Sequence, residues 1–158
     1  QIKAVGIDTS QGCVDIALKR GVQEIYCLCW QNLKVETTYQ TILLMMNGLG
    51  LAGRLNELSS FLLKLVQHLD KDGFILADSA DLRYLYENEG DEGFWVPADQ
   101  NYHGDLTYTT SYKDLTTSFD WLFVSFEILR DICNSIGLKC ERLQELEDYH
   151  YLAHISRL

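Results

Sequence analysis

Basic residues are scarce. Thirteen Lys and Arg stand against 23 Asp and Glu, a net charge of −10. Such a surface repels phosphate backbones, so nucleic acid is not an expected partner. No apolar run approaches the ~20 residues needed to cross a bilayer. The best, Thr41 to Met46, stops at Asn47, and no membrane association is expected. The start is neither basic nor followed by an apolar stretch, so no signal peptide is expected. It opens on Gln1 rather than Met, as processing or truncation would leave it. Proline is nearly absent, Pro97 being the single one, and there are no repeats or low-complexity linkers. The five cysteines, Cys13, Cys27, Cys29, Cys133 and Cys140, are odd in number and fit neither a zinc ribbon nor a C-x-x-C motif. They read as reduced thiols in a cytoplasmic protein. His150 and His154 lack a third ligand, so no metal is expected. Neither a Ser-His-acid triad nor a G-x-S-x-G elbow is present.

What is present is an ordinary globular composition. Apolar residues make up 47% and charged residues 23% of 158, which suits one soluble domain over residues 1–158. Strand and helix signals alternate in the first half, as in a parallel α/β sheet. Lys3 to Ile7 reads as a buried strand, then a helix capped by Thr9 or Ser10 and stopped at Gly21. Its inward face is Cys13, Val14, Ala17 and Leu18. Val22 to Cys29 is a second strand. Tyr39 to Met46 is a third, apolar throughout and expected to be buried on both faces. Leu55 to Leu69 is an amphipathic helix, Asp70 to Gly73 a turn, and Phe74 to Ala77 a fourth strand. Asp81 to Glu87 reads as a helical turn.

The second half changes character. Phe94 to Val96, Asp105 to Tyr112 and Phe119 to Val124 read as strands of an antiparallel insertion over residues 87–124. A helix from Phe126 to Ile136, with Ser125 as cap and Gly137 as stop, precedes two closing strands, Lys139 to Gln144 and Tyr149 to Ser156. Between Arg83 and Lys113 there is no Lys or Arg. That acidic stretch reads as a solvated loop, or as a rim favouring a cationic or neutral substrate.

In open parallel sheets, ligands bind outside the carboxyl ends of the strands. Asp8 ends the first strand, where a carboxylate accepts the two hydroxyls of a ribose or else caps the following helix. Trp30 follows the second strand, where it stacks on a flat heterocycle or covers the core. The third strand runs into Met46-Asn47-Gly48-Leu49-Gly50-Leu51-Ala52-Gly53. Gly48, Gly50 and Gly53 have the G-x-G-x-x-G spacing of a dinucleotide site, with Asp78 ending the next strand. An NAD(P)-dependent oxidoreductase is therefore one alternative, and a glycine-lined turn is the plainer reading. Asp78, Asp81, Tyr84 and Tyr86 gather at the end of the fourth strand, placed to orient a substrate or take a proton. His103 is the histidine nearest this mouth and is a candidate general base, although Asn101 to Gly104 also reads as a surface turn.

Taken together, Ala4 to Ser10, Lys19 to Val22, Tyr39 to Gly50, Asp72 to Tyr86, Trp121 to Phe126 and the closing strand ending at Ile155 resemble the class I S-adenosylmethionine-dependent methyltransferases. The order and spacing of these segments carry the resemblance. It implies a Rossmann-like α/β fold with a mostly parallel sheet and S-adenosyl-L-methionine as cofactor. By the same resemblance, residues 1–80 are the cofactor-side half and residues 125–158 the closing helix and strands. Asp8 falls on the ribose-binding acid, Thr9 lies near the adenine, and Cys29 and Trp30 border it. Met46, Asn47 and Gly48 border the methionine part, with Asn47, Tyr84, Tyr86, Tyr102 and His103 on the side of a small-molecule substrate. Tyr84 and His103 are the catalytic candidates, and the insertion is expected to cover the substrate.

The chain departs from the family pattern in two places. The family's first strand and glycine-rich loop have no counterpart, and Cys29-Trp30 replaces an acid common after its third strand. Loss of a central strand leaves two neighbours unpaired, at about 1–3 kcal/mol per buried backbone group. The sequence therefore leads us to expect a fragment of a longer protein, or a degraded chain whose sheet has closed over the gap or paired with another copy, with catalysis weak or absent in the chain as given. A non-enzymatic, methyltransferase-like binding module remains a third alternative.

Overall fold

The computed structural model describes residues 2–86, 101–145 and 149–158. They form two compact units, Gln1–Glu36 and Thr37–Leu158. The first is a strand–helix–strand unit: β1 (Gly6–Asp8), α1 (Gln11–Lys19) and β2 (Ile25–Cys27). β1 and β2 pair in parallel, Gly6 opposite Ile25 and Asp8 opposite Cys27. Ser10 starts α1 as expected, its hydroxyl accepting the Cys13 N–H at 3.3 Å. Gly21, at φ +93°, ends it, a backbone conformation that glycine adopts without a Cβ penalty. Both strands are shorter than their sequence signals. Of the four expected inward residues of α1, Val14 alone is buried.

The second unit is built on a four-stranded sheet in the order β3-β4-β8-β7. Its strands are β3 (Tyr39–Leu44), β4 (Leu69–Ala80), β7 (Leu138–Glu145) and β8 (His150–Arg157). β3 and β4 are parallel, and β8 runs antiparallel to both β4 and β7. Three of the four strands thus share one direction. A hairpin of β5 (Asp105–Tyr112) and β6 (Leu115–Leu122) forms a separate two-stranded sheet. Two helices complete the unit, α2 (Leu58–Val66) and α3 (Phe126–Ser135).

Alternation along the central strands defines the core. Ile75 pairs with Ile155, Ala77 with Ala153 and Ser79 with Tyr151, and all six are buried. Leu58, Phe61, Leu62 and Leu65 of α2 and Leu129 and Cys133 of α3 are buried with them, the amphipathic stripes that the sequence periodicity requires.

Three readings are corrected here. β3 is not buried on both faces. It is an edge strand with three of its six residues exposed and one buried, because among the described residues β4 alone pairs with it. Asp70 to Gly73 is not a turn but part of β4, where a register shift opposite Tyr39 and Thr41 absorbs the extra residues as a bulge. The helix expected from Leu55 starts as a 3-10 turn, Leu55–Glu57, and α2 itself ends at Val66. The strand expected at Phe94 to Val96 lies outside the described residues.

Candidate functional site

In the first unit the candidates cluster where β1 and β2 end. The Asp8 carboxylate accepts the Ser10 N–H at 2.7 Å through Oδ1. Among the described residues its Oδ2 has no protein donor. Ser10 is the N-cap of α1, and Asp8 holds the Ser10 backbone. The Thr9 carbonyl accepts from the Cys27 thiol at 3.5 Å, and the Leu28 N–H donates to the Asp8 carbonyl at 2.9 Å. Cys29 leads into a 3-10 turn, Trp30–Asn32. Its thiol contacts Gln31 Oε1, and Trp30 is half-buried.

In the second unit the turn after β3 is tightly specified. Met46 and Asn47 both take left-handed backbone angles, φ 63° and 58°, at a cost of roughly 1–2 kcal/mol for a non-glycine residue. Asn47 offsets this with its bonds. Its N–H donates to both Asp78 oxygens at 3.0 and 3.1 Å. Its Nδ2 donates to the Leu122 carbonyl at 3.1 Å, and its Oδ1 accepts from Ser79 Oγ at 2.6 Å. Ser79 in turn accepts the Val124 N–H at 3.1 Å. The Tyr151 hydroxyl donates to the Val124 carbonyl at 2.7 Å. These bonds tie the ends of β3 and β4 to the chain leaving β6. Met46 itself is exposed, and Gly48 is buried.

The glycines of this turn serve packing. A Cβ on Gly50 would lie 2.3 Å from the Trp121 indole, and one on Gly48 2.8 Å from Leu44 Cβ. Gly48–Ala52 forms a 3-10 turn, so the motif opens no α-helix N-terminus to a phosphate. Asp78 is occupied by Asn47. The dinucleotide reading of Gly48, Gly50, Gly53 and Asp78 is therefore corrected to a structural one.

Asn101 to Gly104 is not a surface turn either. Tyr102, His103 and Gly104 are buried. His103 Nε2 lies 3.0 Å from Asp81 Oδ1, their side chains 7% and 20% exposed. Asp81 is itself held by Arg83, whose N–H donates to Oδ1 at 2.9 Å and whose guanidinium lies 3.2 Å from Oδ2. The Tyr86 ring meets His103 edge-on at 6.3 Å, and Tyr102 packs on it at 4.4 Å. The Tyr102 hydroxyl accepts the Ser125 N–H at 3.2 Å, and burial raises the phenol's pKa above its ordinary value. Burial pushes Tyr151 further in the same direction. Both phenols therefore stay protonated at neutral pH. Tyr84 lies on the exposed 3-10 turn Arg83–Tyr86 and stacks on Tyr149 at 5.3 Å.

The structure thus brings Asp81, Tyr86, Tyr102 and His103 together and sets Tyr84 apart from that group. Ser79 and Tyr151 were missed by sequence reasoning. A signal for Ser79 existed: strand alternation puts it on the same face as Ile75 and Ala77, and a hydroxyl at a core position must find partners. Among the described residues no group of three or more His, Cys, Asp or Glu is arranged to hold a metal. No described helix is long and apolar enough to cross a membrane.

The chain was compared with known proteins. It is 36% identical to a SAM-dependent methyltransferase from Bacteroides fragilis, crystallised with S-adenosyl-L-homocysteine, and superposes with a TM-score of 0.89 over 98% of this chain and 63% of that one. In sequence and in fold the chain is thus similar to a SAM-dependent methyltransferase. It spans slightly under two thirds of the Bacteroides protein's length, 63%. A methyltransferase from Clostridium acetobutylicum ATCC 824, 12% identical, shares the fold at TM-score 0.68 over 98% of this chain and 75% of that one. The sugar N-methyltransferase KedS8 from Streptoalloteichus sp ATCC 53650, 10% identical, does so at 0.60 over 98% and 71%. No protein-family model and no curated protein matches the sequence.

Proposed function

We propose that this chain binds S-adenosyl-L-methionine and takes part in methyl transfer to a small-molecule acceptor. The observation that carries the proposal is its likeness, at TM-score 0.89, to a methyltransferase crystallised with the product cofactor. The residues present suit that ligand. Among the described residues Asp8 has one carboxylate oxygen without a protein donor, suited to a ribose hydroxyl. Thr9, Cys29 and Trp30 would border the adenine. Met46, Asn47 and Gly48, expected from the family resemblance to border the methionine part, lie in the second unit on a turn held by the Asn47 bonds.

The cofactor supplies an activated methyl on a sulfonium, so the protein's tasks are to position the acceptor, exclude water and accept a proton. We assign the proton to His103. Asp81, with Oδ1 3.0 Å from His103 Nε2, would orient the imidazole ring. Tyr86 and Tyr102 wall the imidazole, and Tyr84 and Asn47 are assigned to the acceptor side. The acceptor's chemistry finds some support in KedS8, which acts on a sugar nitrogen. An amine acceptor also suits a chain of net charge −10.

Thermal shift with S-adenosyl-L-homocysteine and with NADH tests the ligand class. Stabilisation by the first alone is expected; stabilisation by NADH alone contradicts the proposal. A response to neither favours a non-enzymatic binding module.

A further inference from the structure

α3 and β7 each turn one cysteine into the layer between helix and sheet. Cys133 lies in the last turn of α3, one turn after Leu129, and both are wholly buried. The chain leaves the helix through Gly137, at φ +76°, and enters β7 at once. There Leu138 and Cys140 point inward, 3% and 9% exposed, and Cys140 stands opposite the buried Ile155 of β8. The helix packs on this strand. The two thiols meet in that contact, the Cys133 S–H donating to the Cys140 sulfur. The other three cysteines, Cys13, Cys27 and Cys29, belong to the first unit.

Either residue alone would read as a small apolar filler, the common role of a buried cysteine. The pair differs in two ways. Its sulfurs face each other, as a disulfide requires. Its two members also differ in access. Cys133 is sealed, whereas Cys140 keeps a little open surface on β7, an outer strand of the sheet that among the described residues β8 alone borders. Local opening there can admit a molecule little larger than water. The bond from Cys133, then the Arg130 charge, lower the Cys140 pKa against the opposing effect of burial. The bond to Cys140, then burial, raise that of Cys133. Cys140 is thus the thiol that ionises first, and the thiolate is the nucleophile.

We propose that Cys133 and Cys140 form a redox-sensitive pair that hydrogen peroxide converts to a disulfide and a thiol reductant restores. The Cys140 sulfur attacks one peroxide oxygen and the O–O bond breaks. The Cys140 proton leaves with the other oxygen as water, and Cys140 becomes a sulfenic acid. The Cys133 sulfur then attacks the Cys140 sulfur. The S–S bond forms, the S–O bond breaks, and the hydroxyl takes the Cys133 proton to leave as a second water. The two thiols lose two electrons and two protons in all, and the peroxide takes them. The bridge staples the last turn of α3 to β7. The first residue of that helix's cap, Ser125, is the one whose N–H donates to Tyr102.

Peroxide treatment of the fully reduced protein, quenched with catalase and alkylated in urea, tests this. Peptide mass mapping should recover Cys133 and Cys140 joined, lighter by two hydrogens, and dithiothreitol should return both as alkylated thiols. Cys133→Ser should leave Cys140 as a sulfenic acid that dimedone traps, and Cys140→Ser should leave Cys133 unlabelled. Recovery of both as free thiols, at a peroxide dose that already oxidises the exposed Cys13 and Cys27, overturns the proposal and makes the pair core filler. A bridge from either residue to a third cysteine overturns it too, as does dimedone labelling of Cys133 in place of Cys140.

Discussion

Ser79 Oγ donates to Asn47 Oδ1 at 2.6 Å while accepting the Val124 N–H at 3.1 Å. One buried hydroxyl therefore couples the left-handed turn after β3 to the chain leaving the hairpin. Ser79→Ala leaves an amide oxygen and a backbone N–H unsatisfied, at about 1–3 kcal/mol each. Urea denaturation should show a midpoint lowered accordingly, with an unchanged slope. A midpoint equal to that of the unmodified protein would show the coupling to be idle.

Gly50 is expected to tolerate no side chain. The Trp121 ring lies 2.3 Å from where a Cβ would stand, and the overpacking should cost about 1–3 kcal/mol. Gly50→Ala should lower the melting temperature and shift the indole fluorescence. An unperturbed spectrum would contradict the contact.

Arg54 holds the hairpin base through Thr107 and Asp120. The pair lowers the Asp120 pKa, through the Arg54 hydrogen bond first and Thr107 second. Arg54→Ala should speed amide exchange in β5 and β6 while α2 and β4 keep their protection. Equal exchange in both proteins would show that the anchor lies elsewhere.

His68 predicts a pH response. It is buried, and desolvation, reinforced by the Lys64 charge, lowers its pKa below the ordinary 6.5. The unfolded chain then binds the proton more readily than the folded one, so stability rises with pH in this window. The contribution is fully present above about 6.5 and is lost as pH falls through the lowered folded value. His68→Gln should flatten this part of the stability–pH curve; an unaltered slope would assign it to other groups.

Much of the fold is legible in local signals. The residues Asp105 to Tyr112 alternate and are rich in strand formers, and β5 has those bounds. Gly21 and Gly137 stop their helices at φ +93° and +76°. Other features depend on partners distant in the sequence. Asp70-Lys71-Asp72-Gly73 has the composition of a turn, yet pairing with β3 draws it into β4 as a bulge. An apolar run such as Tyr39 to Leu44 gives no count of its covered faces. Tyr102 and His103 sit in a polar stretch whose burial rests on Ser125 and Asp81. The bond from Asp8 to the chain entering α1 was open to sequence reasoning, since a carboxylate before a helix accepts a backbone N–H there.

The central claim is that the Asp8 carboxylate takes a cofactor hydroxyl. Calorimetric titration of S-adenosyl-L-homocysteine into the protein and into Asp8→Asn tests it most directly. Removing a charged acceptor is worth about 1.5–3 kcal/mol, so the variant should bind roughly 10- to 100-fold more weakly. Equal affinity in the two proteins would contradict the account.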